Sequence, residues 1–189
     1  MSVWRADYLE RAASFVVTKL KFIDESGINL GMTRVCGRAA AGVRVVEAVP
    51  PHSGRHLTML AAIGLRGVSA PWVIEGAVDG SVFEVYLKEV LGPPLAAGDI
   101  VVMDNLSVHK VAGVEAAIKA CGARLEYLSP DSPDFNPIEK CWSKIKTALR
   151  AAKARTVDDL IKALKAALHT ITEADARAWF AHCGYPVHS

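Results

Sequence analysis

The spacing of apolar residues changes partway along the chain, and the change separates an early β-rich part from a later part in which helices and strands alternate. A short helical lead-in is predicted over residues 1–17, where apolar residues recur every three to four positions. Short apolar stretches then alternate with turns that contain glycine or proline, which is typical of successive strands. These predicted strands span residues 16–23, 43–49, 57–65 and 71–77.

From residue 79 onward the apolar residues follow helical spacing, and continuous apolar strands lie between the helices. Ser81 is the predicted N-cap of the first of these helices, which Gly92-Pro93-Pro94 ends. Gly122 is a natural left-handed end for the second helix. Thr156 and Asp159 resemble a capping box at the start of a later helix. The predicted helices span residues 81–91, 111–121, 137–154, 157–168 and 172–183, and the predicted strands between them span 99–103 and 123–128.

This order of elements predicts a three-layer α/β fold with a mixed β-sheet flanked by helices. Strands that follow one another closely pair antiparallel, whereas strands joined through a helix pair parallel. A length of 189 residues suits one domain. We therefore expect a compact core domain over residues 18–155 and a helical extension over residues 156–189 that packs on it.

Composition excludes several classes of protein. With 51% hydrophobic and 22% charged residues the chain can fill a core, and charges interrupt every apolar stretch before it could span a membrane. The acidic residues near the N-terminus do not fit a secretory signal. The four cysteines form no C-x-x-C pair, which indicates reduced cysteines in a cytoplasmic protein.

The charge is unevenly distributed along the chain. The net charge of +2 is too small to indicate a nucleic-acid-binding protein by itself. Residues 140–155, however, contain six basic residues and no acid. Such a helix face is either simply solvated or available to neutralise phosphates. The second interpretation gains weight because the basic segment directly follows a candidate catalytic carboxylate.

Two aspartates follow apolar strands. Asp104 comes after the stretch IVVM, at the carboxyl edge of the sheet where α/β folds place their ligands, although a local turn with Asn105 would also explain it. Asp24 follows the stretch VVTKLKFI and precedes Ser26-Gly27, a predicted turn. Its neighbour Glu25 is equally acidic. Because side chains alternate across a strand, only one of the two can face a given site, and spacing does not decide which.

Glu139 lies in the first turn of the helix that begins at Asn136-Pro137. Asn136 as N-cap, Pro137 as the first helical residue and Glu139 two residues later together predict a capping box. This structural role would explain Glu139 without any catalysis. A carboxylate at this position can also turn away from the cap toward a metal ion.

Three carboxylates of this kind predict a site for a hard divalent cation. Oxygen donors suit Mg²⁺ or Mn²⁺, whereas zinc would more often recruit histidine or cysteine. Two such ions about 3.5–4 Å apart can activate an attacking oxygen and stabilise a leaving one in phosphoryl transfer. The chain contains no G-x-S-x-G elbow, P-loop or dinucleotide-binding motif, so nucleophilic-serine chemistry and nucleotide cofactors are not indicated.

The segments FIDESG, VVMDNLSVHK and SPDSPDFNPIEKCWSKIK together resemble the three catalytic blocks of the DDE transposases of the mariner superfamily, in particular its bacterial insertion-sequence branch. Thirty-four residues separate Asp104 from Glu139, the spacing typical of that branch. The resemblance implies an RNase H-like fold with Asp24, rather than Glu25, joining Asp104 and Glu139 in a triad that binds Mg²⁺ or Mn²⁺. It also implies cleavage at the element ends and attack of the freed 3′-hydroxyl on target DNA.

The same resemblance implies supporting roles for residues around the triad. Asn105 and His109 match the block after the second aspartate, and Asn136 matches the turn that presents the glutamate. For His109, a structural hydrogen bond is an equally good explanation. Asp131 stands where the family commonly has tyrosine, which adds an acid close to the site. The residues implied to contact DNA are Lys110, Lys140, Lys144, Lys146, Arg34 and Arg38.

The family's N-terminal helix-turn-helix modules have no counterpart in the short lead-in. The chain therefore resembles the catalytic half of a transposase. We expect it to act on element terminal repeats and target DNA as a homodimer, with a separately encoded helix-turn-helix partner, in the cytoplasm and at the nucleoid. The alternatives are an RNase H-like nuclease without strand transfer and an inactive remnant that only binds DNA or a partner.

Overall fold

Five strands form one mixed sheet in the order β3-β2-β1-β4-β5. The structure is a computed structural model that describes residues 3–34, 36–105 and 112–187. Strands β1 and β2 pair antiparallel, as do β2 and β3, whereas β4 pairs parallel with both β1 and β5. This agrees with the predicted mixed sheet, in which the early strands pair antiparallel and the strands joined through a helix pair parallel. The strands are β1 (Leu20–Asn29), β2 (His56–Gly64), β3 (Gly67–Glu75), β4 (Ile100–Met103) and β5 (Arg124–Tyr127).

Helices cover both faces of the sheet. One face carries α1, α4, α5 and α6, whose core includes Phe22, Ile138 and Phe180. The other face carries α2 and α3, whose core includes Ile23, Phe83 and Ile118. The alternation of Phe22 and Ile23 along β1 thus supplies both cores. The helices are α1 (Val3–Ala13), α2 (Gly80–Val85, continued by a π-helical turn over Tyr86–Leu91), α3 (Ala112–Ala120), α4 (Pro137–Ala152), α5 (Val157–His169) and α6 (Glu173–His182).

Strand β1 continues past the point where the sequence predicts its end. It begins at Leu20 and runs through Asp24 to Asn29, so the predicted turn at Ser26-Gly27 is wrong. The physical reason is pairing with β2, which matches Asp24 to Ala61 and Gly27 to Thr58 across the antiparallel ladder. Asp24 therefore lies in the middle of a long strand.

The predicted strand over residues 43–49 is also wrong. These residues form neither helix nor strand, and Val43, Val46 and Val49 are exposed to solvent. Valine favours strands only where a neighbouring strand and a buried face are available, and β2 already occupies the free edge of β1. The chain between β1 and β2 is consequently a long exposed connection.

Two of the three helix-end predictions described next are confirmed, and the third is wrong by two residues. Thr156 caps α5 by accepting a hydrogen bond from Asp159 N, as predicted. The cap of α2 is Asp79 and not Ser81, since the Asp79 carboxylate accepts from the N–H groups of Ser81 and Val82. Gly122, with φ of +73°, ends α3 in the left-handed region that the sequence required. No helix in the described part of the chain is long and apolar enough to cross a membrane.

Candidate active site

A cavity of about 260 Å³ lies where the pairing of β1 with β4 ends, at the carboxyl edge of the parallel half of the sheet. Its walls come from the ends of β4 and β5, the loop before α4 and the first turn of α4. The three carboxylates predicted from the sequence all line this one cavity. The complete lining is Asp24, Asp104, Asn105, Leu128, Ser129, Pro130, Asp131, Ser132, Pro133, Asn136 and Glu139.

The register of the sheet places Asp24 beside Asp104. Strands β1 and β4 pair in parallel up to Phe22 and Val102. Each aspartate lies two residues beyond this last pair, so both side chains reach the same edge of the sheet on neighbouring strands. Two carboxylates that are far apart in sequence therefore converge because the strands that carry them are adjacent.

Asp24 is buried, with 8% of its surface exposed, and both of its carboxylate oxygens accept hydrogen bonds. Oδ1 accepts from the backbone N–H of Glu25 at 2.9 Å, and Oδ2 accepts from the indole Nε1 of Trp142 at 3.1 Å. Glu25 itself does not line the cavity. The strand pleat thus turns Asp24 toward α4 and the cavity, which agrees with the choice of Asp24 that the resemblance implied.

The electrostatics of the cavity oppose ionisation of Asp24. Burial, followed by the negative charges of Glu139 and then Glu25, raises the pKa of Asp24 to about 7. The hydrogen bonds from Glu25 N–H and Trp142 lower the pKa and so oppose this shift. Glu139 affects Asp24 in this way because both carboxylates line the same cavity.

Glu139 projects from the first turn of α4 and is exposed to solvent. The predicted capping box is not formed. Asn136 occupies the N-cap position and Pro137 the first helical position, but the Asn136 side chain makes no capping hydrogen bond. The backbone N–H of Glu139 instead bonds to Asn136 O at 3.2 Å. The Glu139 carboxylate therefore faces the cavity and is not used as a cap.

The loop before α4 is held in place from two directions. Within the loop, the hydroxyl groups of Ser129 and Ser132 are hydrogen-bonded at 2.7 Å. From outside, Arg5 of α1 pairs with Asp134 and also donates to Ser132 Oγ at 2.9 Å. This loop carries Asp131, whose φ of +51° is a conformation that aspartate tolerates better than most residues.

A second support comes from the C-terminal segment. The hydroxyl of Tyr185 donates to the carbonyl oxygen of Phe135 at 2.8 Å, and the hydroxyls of Tyr8 and Tyr185 are 2.7 Å apart. Both tyrosines are buried. Because Phe135 directly precedes the start of α4, these contacts connect the two ends of the described chain to the residues that present Glu139.

Among residues 3–34, 36–105 and 112–187, no group of three histidine, cysteine, aspartate or glutamate side chains has the geometry to hold a metal ion as it stands. The donor set nevertheless suits a divalent cation. Three carboxylates supply only hard oxygen atoms, and the cation would offset the repulsion that raises the pKa of Asp24. By their donor chemistry the residues present therefore fit Mg²⁺ or Mn²⁺.

Only some of the remaining predicted site residues line the cavity. Asn105 and Asn136 line the cavity. The ammonium group of Lys144 already has two partners in the protein. Its Nζ lies 2.7 Å from Asp175 Oδ2 and also donates to Thr170 O. His109 and Lys110 lie outside the described residues. Lys140, Arg34 and Arg38 are exposed and Lys146 is half-buried.

Sequence reasoning did not single out Trp142, although a usable signal was present. Trp142 follows Glu139 by three residues, so the two side chains occupy the same side of α4. A helix face that presents a catalytic glutamate toward the sheet must present residue i+3 to the same region. Arg5, Tyr8 and Tyr185 had no comparable signal, because they reach the site only through tertiary contacts.

The chain is similar to one protein family in sequence and to several solved structures in fold. Residues 19–161 match the family of DDE superfamily endonucleases. A search of curated protein sequences finds no match. Solved structures of similar fold include the Mos1 strand transfer complex, with a TM-score of 0.69 and 14% identity over 95% of this chain and 55% of that one.

Two further Mos1 structures agree on the fold. The mariner Mos1 paired-end complex with Mg gives a TM-score of 0.70 at 13% identity, covering 95% of this chain and 58% of that one. The Mos1 mariner transposase catalytic domain gives 0.66 at 12% identity, covering 95% and 83%. This chain spans about half the length of Mos1 in the strand transfer complex. The predicted RNase H-like fold is thereby confirmed, and with most of its length matched, the chain belongs to the DDE superfamily endonucleases.

Proposed function

We propose that this chain is the catalytic domain of a transposase of the mariner superfamily, and that Asp24, Asp104 and Glu139 hold the divalent ions with which it cuts and joins DNA. The observation that carries the proposal is the convergence of these three carboxylates on one cavity in a DDE endonuclease fold. The insertion-sequence branch remains a prediction that follows from the 34-residue spacing.

Mg²⁺ or Mn²⁺ is the proposed cofactor. Bound between these carboxylates, such ions would lower the pKa of an attacking water or 3′-hydroxyl and stabilise the leaving oxygen of a phosphodiester. The chain's own contribution is to fix the donors. Trp142 and the N–H of Glu25 orient Asp24, the end of β4 fixes Asp104, and the rigid start of α4 fixes Glu139.

The proposed DNA contacts surround this cavity. Lys140 and Lys146 follow Glu139 on α4, and a duplex that placed a phosphate at Glu139 would pass close to them. Lys144 is a weaker candidate because it already pairs with Asp175. Asn105, at the cavity wall, is proposed to support the site. Further proposed contacts, by resemblance, are Arg34, Arg38 and Lys110, with His109 in a supporting role.

The proposed function also includes a division of the chain into a catalytic core and a helical extension. Residues 18–155 would form the catalytic core, with α1 as a lead-in and residues 156–189 as a helical extension packed on it. We further propose that the chain acts as a homodimer on element ends and target DNA with a separately encoded helix-turn-helix partner. The solved relatives of similar fold include complexes described as paired-end and strand transfer complexes.

The deciding experiment is nicking of supercoiled plasmid in the presence of Mg²⁺, Mn²⁺ or EDTA. Wild type should nick only with a divalent ion, and the variants Asp24→Asn, Asp104→Asn and Glu139→Gln should each lose most of this activity. The matched control Glu89→Gln removes an acid on the opposite face of the sheet and should nick like wild type. Equal nicking by wild type and Asp104→Asn would rule out the proposed metal site.

Strand transfer separates a transposase from a simple nuclease. The DNA that flanks the gene provides candidate terminal repeats, and an oligonucleotide ending in such a repeat serves as the pre-cleaved substrate. A transposase joins its 3′-hydroxyl to a target plasmid. Nicking without any joining would support the alternative of an RNase H-like nuclease.

A further inference from the structure

Asn136 is a buried polar residue that the fold does not explain. Only 4% of its surface is exposed, and its Oδ1 has no hydrogen-bond partner among the residues that the structure describes. Buried polar groups without partners are rare in proteins, because a donor or acceptor taken out of water loses its hydrogen bonds. An unpaired acceptor in the wall of a candidate active site therefore points to a partner beyond the described residues, such as a bound water.

Helix capping does not provide that partner. Asn136 occupies the N-cap position of α4, yet its side chain accepts no backbone N–H. The N-cap residues Asp79, Thr156 and Thr172 each accept such a bond at the starts of α2, α5 and α6. Three helices of this chain thus use side-chain caps, while Asn136 leaves its oxygen unpaired at a cavity that also contains Glu139.

The backbone around Asn136 is fixed, so its side chain cannot easily turn elsewhere. Its N–H donates to Pro133 O at 3.0 Å, and the preceding carbonyl, of Phe135, accepts from Tyr185 at 2.8 Å. Pro137 follows with a ring that restricts its own backbone. The Asn136 side chain is therefore held in the cavity wall together with Asp24, Asp104 and Glu139.

In the ionised form that binds a cation, these carboxylates cannot satisfy the oxygen, because ionised carboxylates only accept hydrogen bonds. A hydrated divalent cation can, since Mg²⁺ usually keeps several bound waters, and each of them is a strong donor. We propose that Asn136 is a positioning residue whose Oδ1 accepts a hydrogen bond from a water on the divalent ion held by the three carboxylates. This inference rests on the proposed metal site and adds a neutral fourth oxygen to it.

Leucine and aspartate substitutions test this role by Mn²⁺ affinity, measured by calorimetry, and by urea unfolding in EDTA. Asn136→Leu removes the oxygen at similar volume and should weaken Mn²⁺ binding about tenfold or more, as is typical when a partner of a metal site is lost. Its urea midpoint in EDTA should not fall, because no hydrogen bond is lost. Asn136→Asp keeps the oxygen and should retain Mn²⁺ binding, with a lower midpoint from added repulsion.

Asn29→Leu is the matched control, because Asn29 Oδ1 does have a partner, the N–H of Gly31 at 2.9 Å. This variant should lower the urea midpoint and leave Mn²⁺ affinity unchanged. If Asn136→Leu behaves in the same way, Asn136 is merely structural and the inference is overturned. Loss of Mn²⁺ binding in Asp104→Asn but not in Asn136→Leu would overturn this inference alone. Unchanged Mn²⁺ binding in both would overturn the proposed metal site as well.

A second, independent observation concerns the opposite end of the sheet, where β1 and β4 begin. A cavity of about 450 Å³ lies there, and six charged residues line it. Both acids among them already face a cation. Lys19 Nζ is 3.9 Å from Asp99, and an Arg177 guanidinium nitrogen is 3.6 Å from Glu173.

The other two cations, Lys21 and Arg66, have no acidic partner within 4 Å in the described part of the chain. They also line a smaller adjoining cavity, so both face the same concave surface. Lys21 Nζ lies close to Gly64, where an added Cβ would be 3.0 Å from it. Arg66 lies in the two-residue turn between β2 and β3. The result is a concave site with two uncompensated positive charges.

We infer that Lys21 and Arg66 bind phosphodiester oxygens of a DNA backbone, and so form a second DNA contact remote from the carboxylates. Two cations on a concave surface suit the paired oxygens of phosphates, and the family to which this chain belongs acts on DNA. The contact carries no base-specific group, so binding there should be independent of sequence.

The salt dependence of duplex binding in EDTA tests this contact without involving the metal site. The variant Lys21→Ala/Arg66→Ala should lower the slope of log affinity against log salt by about 1.8, from about 0.9 for each phosphate that the protein no longer neutralises. Its matched control is Arg55→Ala/Lys162→Ala, which removes two exposed cations that are paired with Glu75 and Asp159. This control should keep the wild-type slope.

Equal slopes for the two double variants would overturn the inference. Calorimetry with inorganic phosphate separates a DNA contact from a site for a small anion. Weak or absent phosphate binding is expected. Tight phosphate binding that the Lys21→Ala/Arg66→Ala variant abolishes, with no change in its DNA slope, would also overturn it.

Discussion

Trp142 donates a hydrogen bond from its indole Nε1 to Oδ2 of Asp24 across 3.1 Å, although the two residues lie 118 positions apart in sequence. The bond joins α4 to β1 inside the protein, where water does not compete. It leaves Asp24 in a single orientation toward Asp104 and Glu139. The helix that presents one carboxylate of the candidate triad therefore also orients another.

At about pH 8, where Asp24 is ionised, we expect Trp142→Phe to lower the free energy of unfolding by about 1.5–3 kcal/mol, the range for a hydrogen bond to a charged group. Mn²⁺ affinity should fall too, because Asp24 loses its fixed orientation. Urea unfolding in EDTA and calorimetry measure the two effects. Trp72→Phe is the control, since Trp72 stacks on Tyr86 on the other face of the sheet. Equal Mn²⁺ affinities in all three proteins would contradict the assigned role.

Replacing Asp24 by asparagine should stabilise the metal-free protein, and more so at higher pH. The pKa of Asp24 is about 7 in the folded protein, against about 3.9 for an unfolded aspartate. Between these values the folded state binds the extra proton, so the carboxyl group destabilises the fold progressively as pH rises through this window. Asp24→Asn removes that penalty, which amounts to at most about 4 kcal/mol above pH 7.

Urea unfolding in EDTA at about pH 5 and about pH 8 checks this prediction. Asp175→Asn serves as a control of opposite sign. The hydrogen bond from Lys144, followed by those from Thr172, lowers the pKa of Asp175 to about 2, so its stabilising contribution is fully present at both pH values. Asp175→Asn should therefore destabilise the protein equally at both. An equal gain for Asp24→Asn at the two pH values would show that Asp24 does not titrate in this window.

Tyr185→Phe tests the contact between the C-terminal segment and the loop before α4. The variant leaves the buried carbonyl of Phe135 and the hydroxyl of Tyr8 short of a partner, which should cost about 1–3 kcal/mol. It should also reduce divalent-ion-dependent nicking, because Phe135 precedes the residues that present Glu139. Tyr86→Phe breaks a comparable bond, to Ala70 O at 3.0 Å, on the other face. Lower stability with full nicking is expected there, and the same result for Tyr185→Phe would separate this contact from the site.

Asp131→Asn should tighten DNA binding at low salt by about two- to fivefold, since a unit charge about 4 Å away in water is worth about 1 kcal/mol. Asp131 lines the cavity and adds a negative charge where phosphates are expected to approach. Asparagine tolerates the same positive φ, so the loop should keep its shape. Fluorescence anisotropy in EDTA at low and high salt measures the effect. Asp158→Asn on α5 removes an equal charge elsewhere, and an equal gain there would mean that only net charge matters.

Local patterns along the chain predicted its elements well wherever a local cause decided them. Gly122 ends α3 and Thr156 caps α5, because left-handed backbone and side-chain caps depend on residues within one turn. The pattern over residues 43–49 failed because a strand requires a neighbour, and β1, which precedes this segment, is already paired on both sides, with β2 and β4. The predicted capping bond of Asn136 is absent for a different reason. Its side chain lines the cavity beside the helix, and the helix-start motif contains no information about that cavity.

The sequence by itself determined the order of helices and strands, the chemical identity of the three carboxylates and the family to which they point. These follow from residue types and short spacings, which are properties of the chain before it folds. Tertiary structure decided which groups meet. The parallel register of β1 and β4 brings Asp24 beside Asp104, and α4 packs so that Trp142 bonds Asp24 while Asn136 lines the same cavity. Such contacts join residues that lie from 80 positions apart, for Asp24 and Asp104, to 118 positions apart, for Asp24 and Trp142, and no local period records them.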